Sequence, residues 1–176
     1  MQRAALATVL MMKPSLIIAD EPTTALDILT GERIMDLLAD LQKEAGCAVL
    51  FISHDLTHIL KRTQRLGVMY GGRLMETGRT EVIRNRSQHP YTRLLLQSKP
   101  TLKKQMPEKL TSIPGEPGAV AREGCPFLLR CPRKSDGCRD IPAMKSLGDG
   151  HRFACHHPDS ERGDALDAAV GDQPPI

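Results

Sequence analysis

The sequence predicts an α/β fold, parallel strands with flanking helices, followed by a small irregular cysteine-rich extension. Three observations carry this reading. The apolar run Leu16-Ile17-Ile18-Ala19 leads straight into Asp20-Glu21 and is closed by Pro22, the pattern of a buried parallel strand that delivers acids to the rim of a sheet. A second apolar run, Ala48 to Ile52, ends in Ser53-His54-Asp55, with a helical interval between the two. Beyond residue 124, Cys125, Cys131, Cys138 and Cys155 crowd into a stretch that lacks helical periodicity.

Each element follows from its residues. Gln2 to Met12, rich in Ala and Leu, reads as a helix that stops before Pro14. Ile34, Leu37, Leu38 and Leu41 fall at i, i+3, i+4 and i+7, which makes one amphipathic helix with Gly46 as its C-cap. Strand, helix, strand in this order gives a parallel crossover. Arg65 to Tyr70, the pair Gly71-Gly72 and Arg73 to Thr77 read as strand, tight turn and returning strand. Thr80 to Arg86 and Thr92 to Ser98 are short helices, with Pro90 near the start of the second. Met11, Met12 and Met69 are expected to fill gaps in the core, and Cys47 to be a small buried hydrophobe.

The composition shifts at Lys99-Pro100. The reading is therefore four segments: an α/β portion over 1–98, a Pro-, Gly- and Lys-rich linker over 99–122, the cysteine-rich extension over 123–158 and a disordered acidic tail over 159–176. The chain of 176 residues is 40% hydrophobic but only 3% aromatic, sparse for a self-sufficient domain. A net charge of +3 without a basic stripe argues against a nucleic-acid partner. No run of eighteen apolar residues occurs, so neither a direct membrane span nor export by a secretory signal is expected.

The motifs, taken as a set in this order and spacing, resemble the ATPase subunits of ABC transporters. Asp20-Glu21 matches the Walker B pair, Ala25-Leu26-Asp27 the D-loop, His54 the switch histidine, and Gln2-Arg3-Ala4 the tail of the signature motif. His89-Pro90-Tyr91-Thr92 resembles a tetrapeptide near the end of the ATPase core in peptide and nickel importers of this class. The fold implied is the C-terminal part of an ABC-type P-loop NTPase domain. Departures are equally plain: no G-x-x-x-x-G-K-[ST] phosphate loop exists, and the Leu-Ser-Gly-Gly part of the signature does not precede Gln2. The expectation is the C-terminal portion of a longer subunit, inactive alone.

The cysteine cluster has intervals of five, six and sixteen residues. In a cytosolic chain, four such thiols are better explained by a metal site than by disulfides. The intervals are too wide for zinc knuckles, although a Cys₄ zinc site can be assembled from loops, and four cysteines also suit a [4Fe–4S] cluster. His151, His156 and His157 flank the last cysteine as donors to sulfur or as surface histidines, not as ligands. The segment from Gly124 to His156 is similar to the C-terminal extension of oligopeptide and dipeptide importer ATPases, and that resemblance implies the [4Fe–4S] cluster, with Zn²⁺ the alternative.

What the resemblance implies for function is an ATP-binding subunit powering peptide import, with ATP and Mg²⁺ as cofactors. Asp20 would hold Mg²⁺, Glu21 would be the general base for water, His54 would contact the γ-phosphate, and Asp27 and Gln2 would face the nucleotide across a dimer. The partners implied are a second ABC ATPase subunit, identical or not, and transmembrane permease subunits. The implied place is the cytoplasmic face of the inner membrane, held peripherally. Two other readings are a DNA-processing ABC ATPase fragment, disfavoured by the lack of paired C-x-x-C knuckles, and a non-catalytic metal-binding regulatory remnant.

Overall fold

The computed structural model describes residues 11–24, 26–98 and 112–159, and the chain divides into two units between Thr63 and Gln64. In the first unit, β1 (Leu16–Asp20) and β2 (Ala48–Ile52) pair in parallel, from Leu16 opposite Ala48 to Asp20 opposite Ile52. The connection is α1 (Ile28–Ala45). Asp27 caps its start by accepting from the Thr30 N–H at 3.0 Å, and Gly46 ends it in the left-handed conformation at φ 62°. Of the predicted stripe, Ile34 and Leu38 are buried and Leu37 and Leu41 half-buried; Met35, not foreseen, joins Ile34 and Leu38 in packing with Ala19, Leu26 and Phe51.

The continuous apolar runs of β1 and β2 lead one to expect burial on both faces. Among the described residues, however, Leu16, Ile18, Leu50 and Ile52 stay exposed on the face opposite α1, with Ile18 at 62%. The short helix α2 (Leu56–Arg62) is capped by Asp55, which accepts from the Thr57 N–H at 2.7 Å. Glu32 and Asp36 on α1 hold Arg62 on α2 by ion pairs, the Asp36 contact at 2.7 Å.

The second unit is built on an antiparallel sheet of order β3-β4-β6-β5. Its first hairpin, β3 (Arg65–Tyr70) and β4 (Arg73–Arg79), turns at Gly71-Gly72 as expected. α3 (Thr80–Arg86) and α4 (Pro90–Gln97) follow, the latter starting at Pro90 rather than Thr92. The cysteine-rich segment is less irregular than its sequence suggests. Within it, β5 (Lys145–Gly148) and β6 (His151–Phe153) form a hairpin, and β6 pairs with β4 through Glu76 opposite Phe153 and Thr77 opposite Arg152.

The core of this unit likewise joins the segments on either side of the expected linker. Tyr70 and Met75 pack with Cys125, Phe127 and Cys138, and Tyr91, Leu94, Ile113, Leu128 and Cys131 close around them. The Tyr70 and Phe127 rings meet edge to face at 5.1 Å and 82°. Arg130, buried, donates from Nε to the Pro114 carbonyl at 2.8 Å and from Nη1 to the Tyr70 hydroxyl at 3.3 Å. That hydroxyl in turn donates to the Ala119 carbonyl at 2.6 Å, so residues 113–119 of the expected linker are fastened to the core.

Several expectations change here. Met11, Met12 and Met69 are exposed at 84%, 80% and 60%, not core fillers; Met69 faces outward because β3 alternates strictly and its neighbours Val68 and Tyr70 point in. Asp159, assigned to the disordered tail, is half-buried and ion-paired to Arg93 at 2.7 Å and Arg133 at 2.6 Å. Cys47 is buried as expected. The rest of the predicted tail and the predicted helix over Gln2 to Leu10 lie outside the described residues. Among those residues no helix is long and apolar enough to cross a membrane.

Candidate functional site

The polar ends of β1 and β2 meet at one rim. The Glu21 N–H donates to the Ile52 carbonyl at 2.8 Å, extending the ladder one residue past β1, and Glu21 then takes a left-handed φ of 45°. A side chain with a Cβ pays for that conformation, roughly 1–2 kcal/mol, and such strain concentrates where a site needs a particular aim. Here the turn brings the carboxylate to His54. Glu21 Oε1 accepts from the His54 backbone N–H at 3.1 Å and lies 2.8 Å from the ring Nδ1, while Oε2 accepts from the Thr24 hydroxyl at 3.2 Å.

These contacts set the electrostatics. The hydrogen bond from His54 holds the Glu21 carboxyl below its ordinary range, and the same bond, followed by the Glu21 charge, raises His54 above its own. With Glu21 ionised, Nδ1 must carry a hydrogen, which leaves Nε2 of the exposed ring for a ligand. Asp20 stands exposed at the end of β1, a hard oxygen donor of the kind Mg²⁺ prefers. Asp27 is engaged as the N-cap of α1, and its hydrogen bonds from Thr30 hold its carboxyl below the usual range. Gln2 lies outside the described residues. The structure thus brings Glu21 and His54 together, puts Asp20 beside them in the chain, and gives Asp27 a capping role that its sequence match did not suggest.

The four clustered cysteines are also brought into one neighbourhood. Cys125, Cys138 and Cys155 are buried and Cys131 half-buried, none in a disulfide, and the Cys125 N–H donates to the Cys138 carbonyl at 2.9 Å. Burial pushes the Cys125 and Cys131 thiols up and Cys155 up to about 11, and the charges of the other three cysteines add to the shift at Cys155. Thiols gathered this closely are a donor set that a bound cation could deprotonate and stabilise. As the side chains stand, no three His, Cys, Asp or Glu among the described residues converge to hold a single metal ion. The donor chemistry fits a metal; closure around one small ion does not.

One constellation escaped the sequence. Glu76 is fully buried on β4 and accepts from the Gln88 N–H at 2.7 Å and the His89 N–H at 3.1 Å, with His151 Nε2 2.8 Å from the same carboxylate. His89, the N-cap of α4, accepts from the Tyr91 N–H at Nδ1, and burial pushes its pKa down to about 4. The only clue in the residues is the tetrapeptide His89 to Thr92. The other two flanking histidines separate as well: His156 Nε2 faces the Asp140 carbonyl at 3.1 Å, and His157 Nε2 the Ser135 hydroxyl at 2.6 Å.

With this geometry in hand, residues 75–138 match the family model described as the oligopeptide/dipeptide transporter C-terminal region. Over 165 residues, 92% of this chain, the sequence is 40% identical to the dipeptide transport ATP-binding protein DppD of Escherichia coli. Against the oligopeptide transport ATP-binding protein OppD of Salmonella typhimurium it is 40% identical over 162 residues, 91% of this chain. The chain carries the oligopeptide/dipeptide transporter C-terminal region and is similar over most of its length to ATP-binding proteins of peptide transport. It spans about half the length of the curated relatives it matches, 50% of DppD and 48% of OppD. A solved structure, cbiO1 from Clostridium perfringens, described as part of the ABC transporter complex cbiONQ, is 36% identical over 46% of this chain and 32% of its own, with a TM-score of 0.44. The matched family region starts on β4 at Met75 and ends at Cys138, so it runs across the expected linker and takes in three of the four clustered cysteines.

Proposed function

We propose that the protein to which this chain belongs hydrolyses ATP to drive peptide import, as a peripheral subunit on the cytoplasmic face of the membrane. It would pair with a second ATPase subunit and dock on membrane-spanning permeases. The single observation that carries the reading is the Glu21–His54 pair at 2.8 Å, formed at the ends of two parallel strands on a strained residue. Glu21 would orient and deprotonate the attacking water; His54, its Nδ1–H given to Glu21, would present Nε2 to the γ-phosphate. Asp20 would hold Mg²⁺, which would supply positive charge to neutralise charge developing on the phosphates. Asp27, besides capping α1, and Gln2 would contribute toward the partner subunit.

The test places Glu21→Gln in a protein that joins this chain to a phosphate-binding half. The substitution keeps shape and removes the basic oxygen, so turnover should fall by about two to four orders of magnitude with ATP binding retained. Turnover at the parental rate would remove Glu21 as the base.

The cysteine site is proposed to hold a [4Fe–4S] cluster on Cys125, Cys131, Cys138 and Cys155. What supports the reading is that the four thiols lie close enough to act on one another and that the segment resembles the extension of oligopeptide and dipeptide importer ATPases. Anaerobically purified chain should carry iron and sulfide that Cys→Ser at any of the four reduces and Cys47→Ser does not. One equivalent of zinc, colourless and stable in air, would replace the cluster with the alternative.

A further inference from the structure

Between α3 and the turn of the β5–β6 hairpin lies an open cleft of about 640 Å³, within the size range of small-molecule sites. Its floor is fixed. His151, buried, is locked by the 2.8 Å contact of its Nε2 with the Glu76 carboxylate, and Gly78 leaves room for the ring, since an added Cβ would come within 3.3 Å of it. The walls carry charges of both signs: Arg79, Glu81 and Arg86 from α3 and its N-cap, and Asp149 from the hairpin turn. Among the described residues none of these four is ion-paired, although opposite charges line the same cleft. Arg79 also has a like charge directly opposite, Arg65 on β3, whose guanidinium turns to the Gly150 carbonyl at 3.3 Å; a bound anion would relieve that pairing. Leu147, exposed, adds an apolar patch to the hairpin wall.

A ligand that satisfies this lining has an anionic end, a cationic end and an apolar part. A phosphate would meet the guanidinium groups but be repelled by the carboxylates, and a simple cation the reverse. A free dipeptide meets both. Glu81 and Arg86, in the first and last turns of α3, are about 7.5 Å apart along its axis, and the termini of an extended dipeptide are roughly 7 Å apart. We propose that this cleft binds a short zwitterionic peptide by its two termini, the ammonium at Glu81 and Asp149 and the carboxylate at Arg79 and Arg86. The choice of a peptide among zwitterions rests on the reading of the protein as a subunit of peptide import, which would release peptide on the side of the membrane where this subunit stands.

The experiment titrates leucyl-leucine into the whole chain, labelled with nitrogen-15, and follows the amide signals by NMR. Binding with a dissociation constant on the order of 1 mM is expected, because the charged partners are open to water, with shifts gathered at Val82, Gln88, Leu147 and Gly148. Glu81→Gln and Arg86→Gln should each weaken binding about 5-fold, what one exposed ion pair contributes. Acetylating the amino terminus and amidating the carboxyl terminus of the peptide should abolish binding, and an equal concentration of inorganic phosphate should not displace the free peptide. Unfolding followed by tyrosine fluorescence should match the parent in both variants, since neither side chain is ion-paired in the fold. No binding of leucyl-leucine, shifts centred outside the cleft, or equal binding of the blocked peptide would overturn the proposal. Displacement by phosphate, with the acetylated peptide binding as well as the free one, would make the cleft an anion site and overturn it too. Each of these failures leaves the ATPase reading standing, because none involves Glu21 or turnover; parental turnover in Glu21→Gln would remove that reading without changing the peptide titration.

Discussion

Each unit of this chain contains a glutamate–histidine pair at 2.8 Å, Glu21–His54 in one and Glu76–His151 in the other, and the two pairs sit in opposite surroundings. The first is open to solvent, with the His54 side chain 84% exposed, and its glutamate sits on a strained backbone. The second is buried on both sides, and its carboxylate also accepts from two backbone N–H groups ahead of α4. Water screens the first pair and leaves one imidazole nitrogen available, so it adds little to stability and retains chemical capacity. The second has spent its acceptors on the fold. The distance between partners is the same; what separates a reactive pair from a structural one is burial and unspent hydrogen-bonding capacity.

The largest expected effect lies in the buried unit, at Gly124. Its φ is 71°, and a Cβ there would meet the Cys138 carbonyl oxygen at 2.4 Å and the Arg139 carbonyl oxygen at 2.5 Å. Because both obstacles are backbone, Gly124→Ala must push the Cys125 and Cys138 segments apart, at a cost on the order of 3 kcal/mol or more. Both tyrosines of the chain, Tyr70 and Tyr91, belong to this unit, so denaturant unfolding followed by tyrosine fluorescence reads it selectively. An unchanged midpoint would mean that the cysteine segments are not packed as described.

Glu76→Gln comes next. Glutamine offers one acceptor where two oxygens now serve three partners, and its amide would face a backbone N–H. A loss of about 2 kcal/mol by the same fluorescence measurement is expected, within the range for hydrogen bonds to a charged group. In the open unit, Gly46→Ala should cost less, about 1 kcal/mol. Gly46 also has a left-handed φ, 62°, but nothing lies within 4 Å of an added Cβ, so only the conformational penalty remains. Amide hydrogen exchange along α1 would register it, and a cost matching that of Gly124→Ala would contradict the account of both glycines.

The open unit was the more legible in sequence. Its helix announces itself by apolar spacing from Ile34 to Leu41, its cap by Gly46, and its rim by acids that follow an apolar run. The buried unit hid its main features for two physical reasons. A three-residue strand, β6, pairs with β4 across some 75 residues of chain, and no local pattern encodes such a partner. The register between β3 and β4 also shifts at Val68/Met69, so that Val68 faces Glu76 while Met69 faces Leu74, and Met75 is left over. That bulge turns both Met75 and Glu76 inward, where strict alternation would have placed the glutamate in water. His151, singled out only for its closeness to a cysteine, is in fact the partner of that glutamate.

The smallest effect on stability, and the sharpest on the comparison, is expected from Glu21→Gln. The exposed pair holds His54 above its ordinary 6.5 and Glu21 below its ordinary 4.5. For His54, whose folded pKa is raised, the stabilisation is complete below about pH 6.5 and is lost as pH rises through the folded value. For Glu21, whose folded pKa is depressed, it is complete above about pH 4.5 and is lost as pH falls through the folded value. The charged pair is therefore fully formed between those limits. In Glu21→Gln, the His54 ring should titrate close to the ordinary value by NMR, and added salt should produce part of the same shift in the parent, because the pair is exposed. Unfolding free energy should hardly change. If His54 kept its raised pKa without the Glu21 charge, the raising would have to come from Asp55, the remaining acid acting on the ring, and the 2.8 Å contact would lose its claim to organise the site.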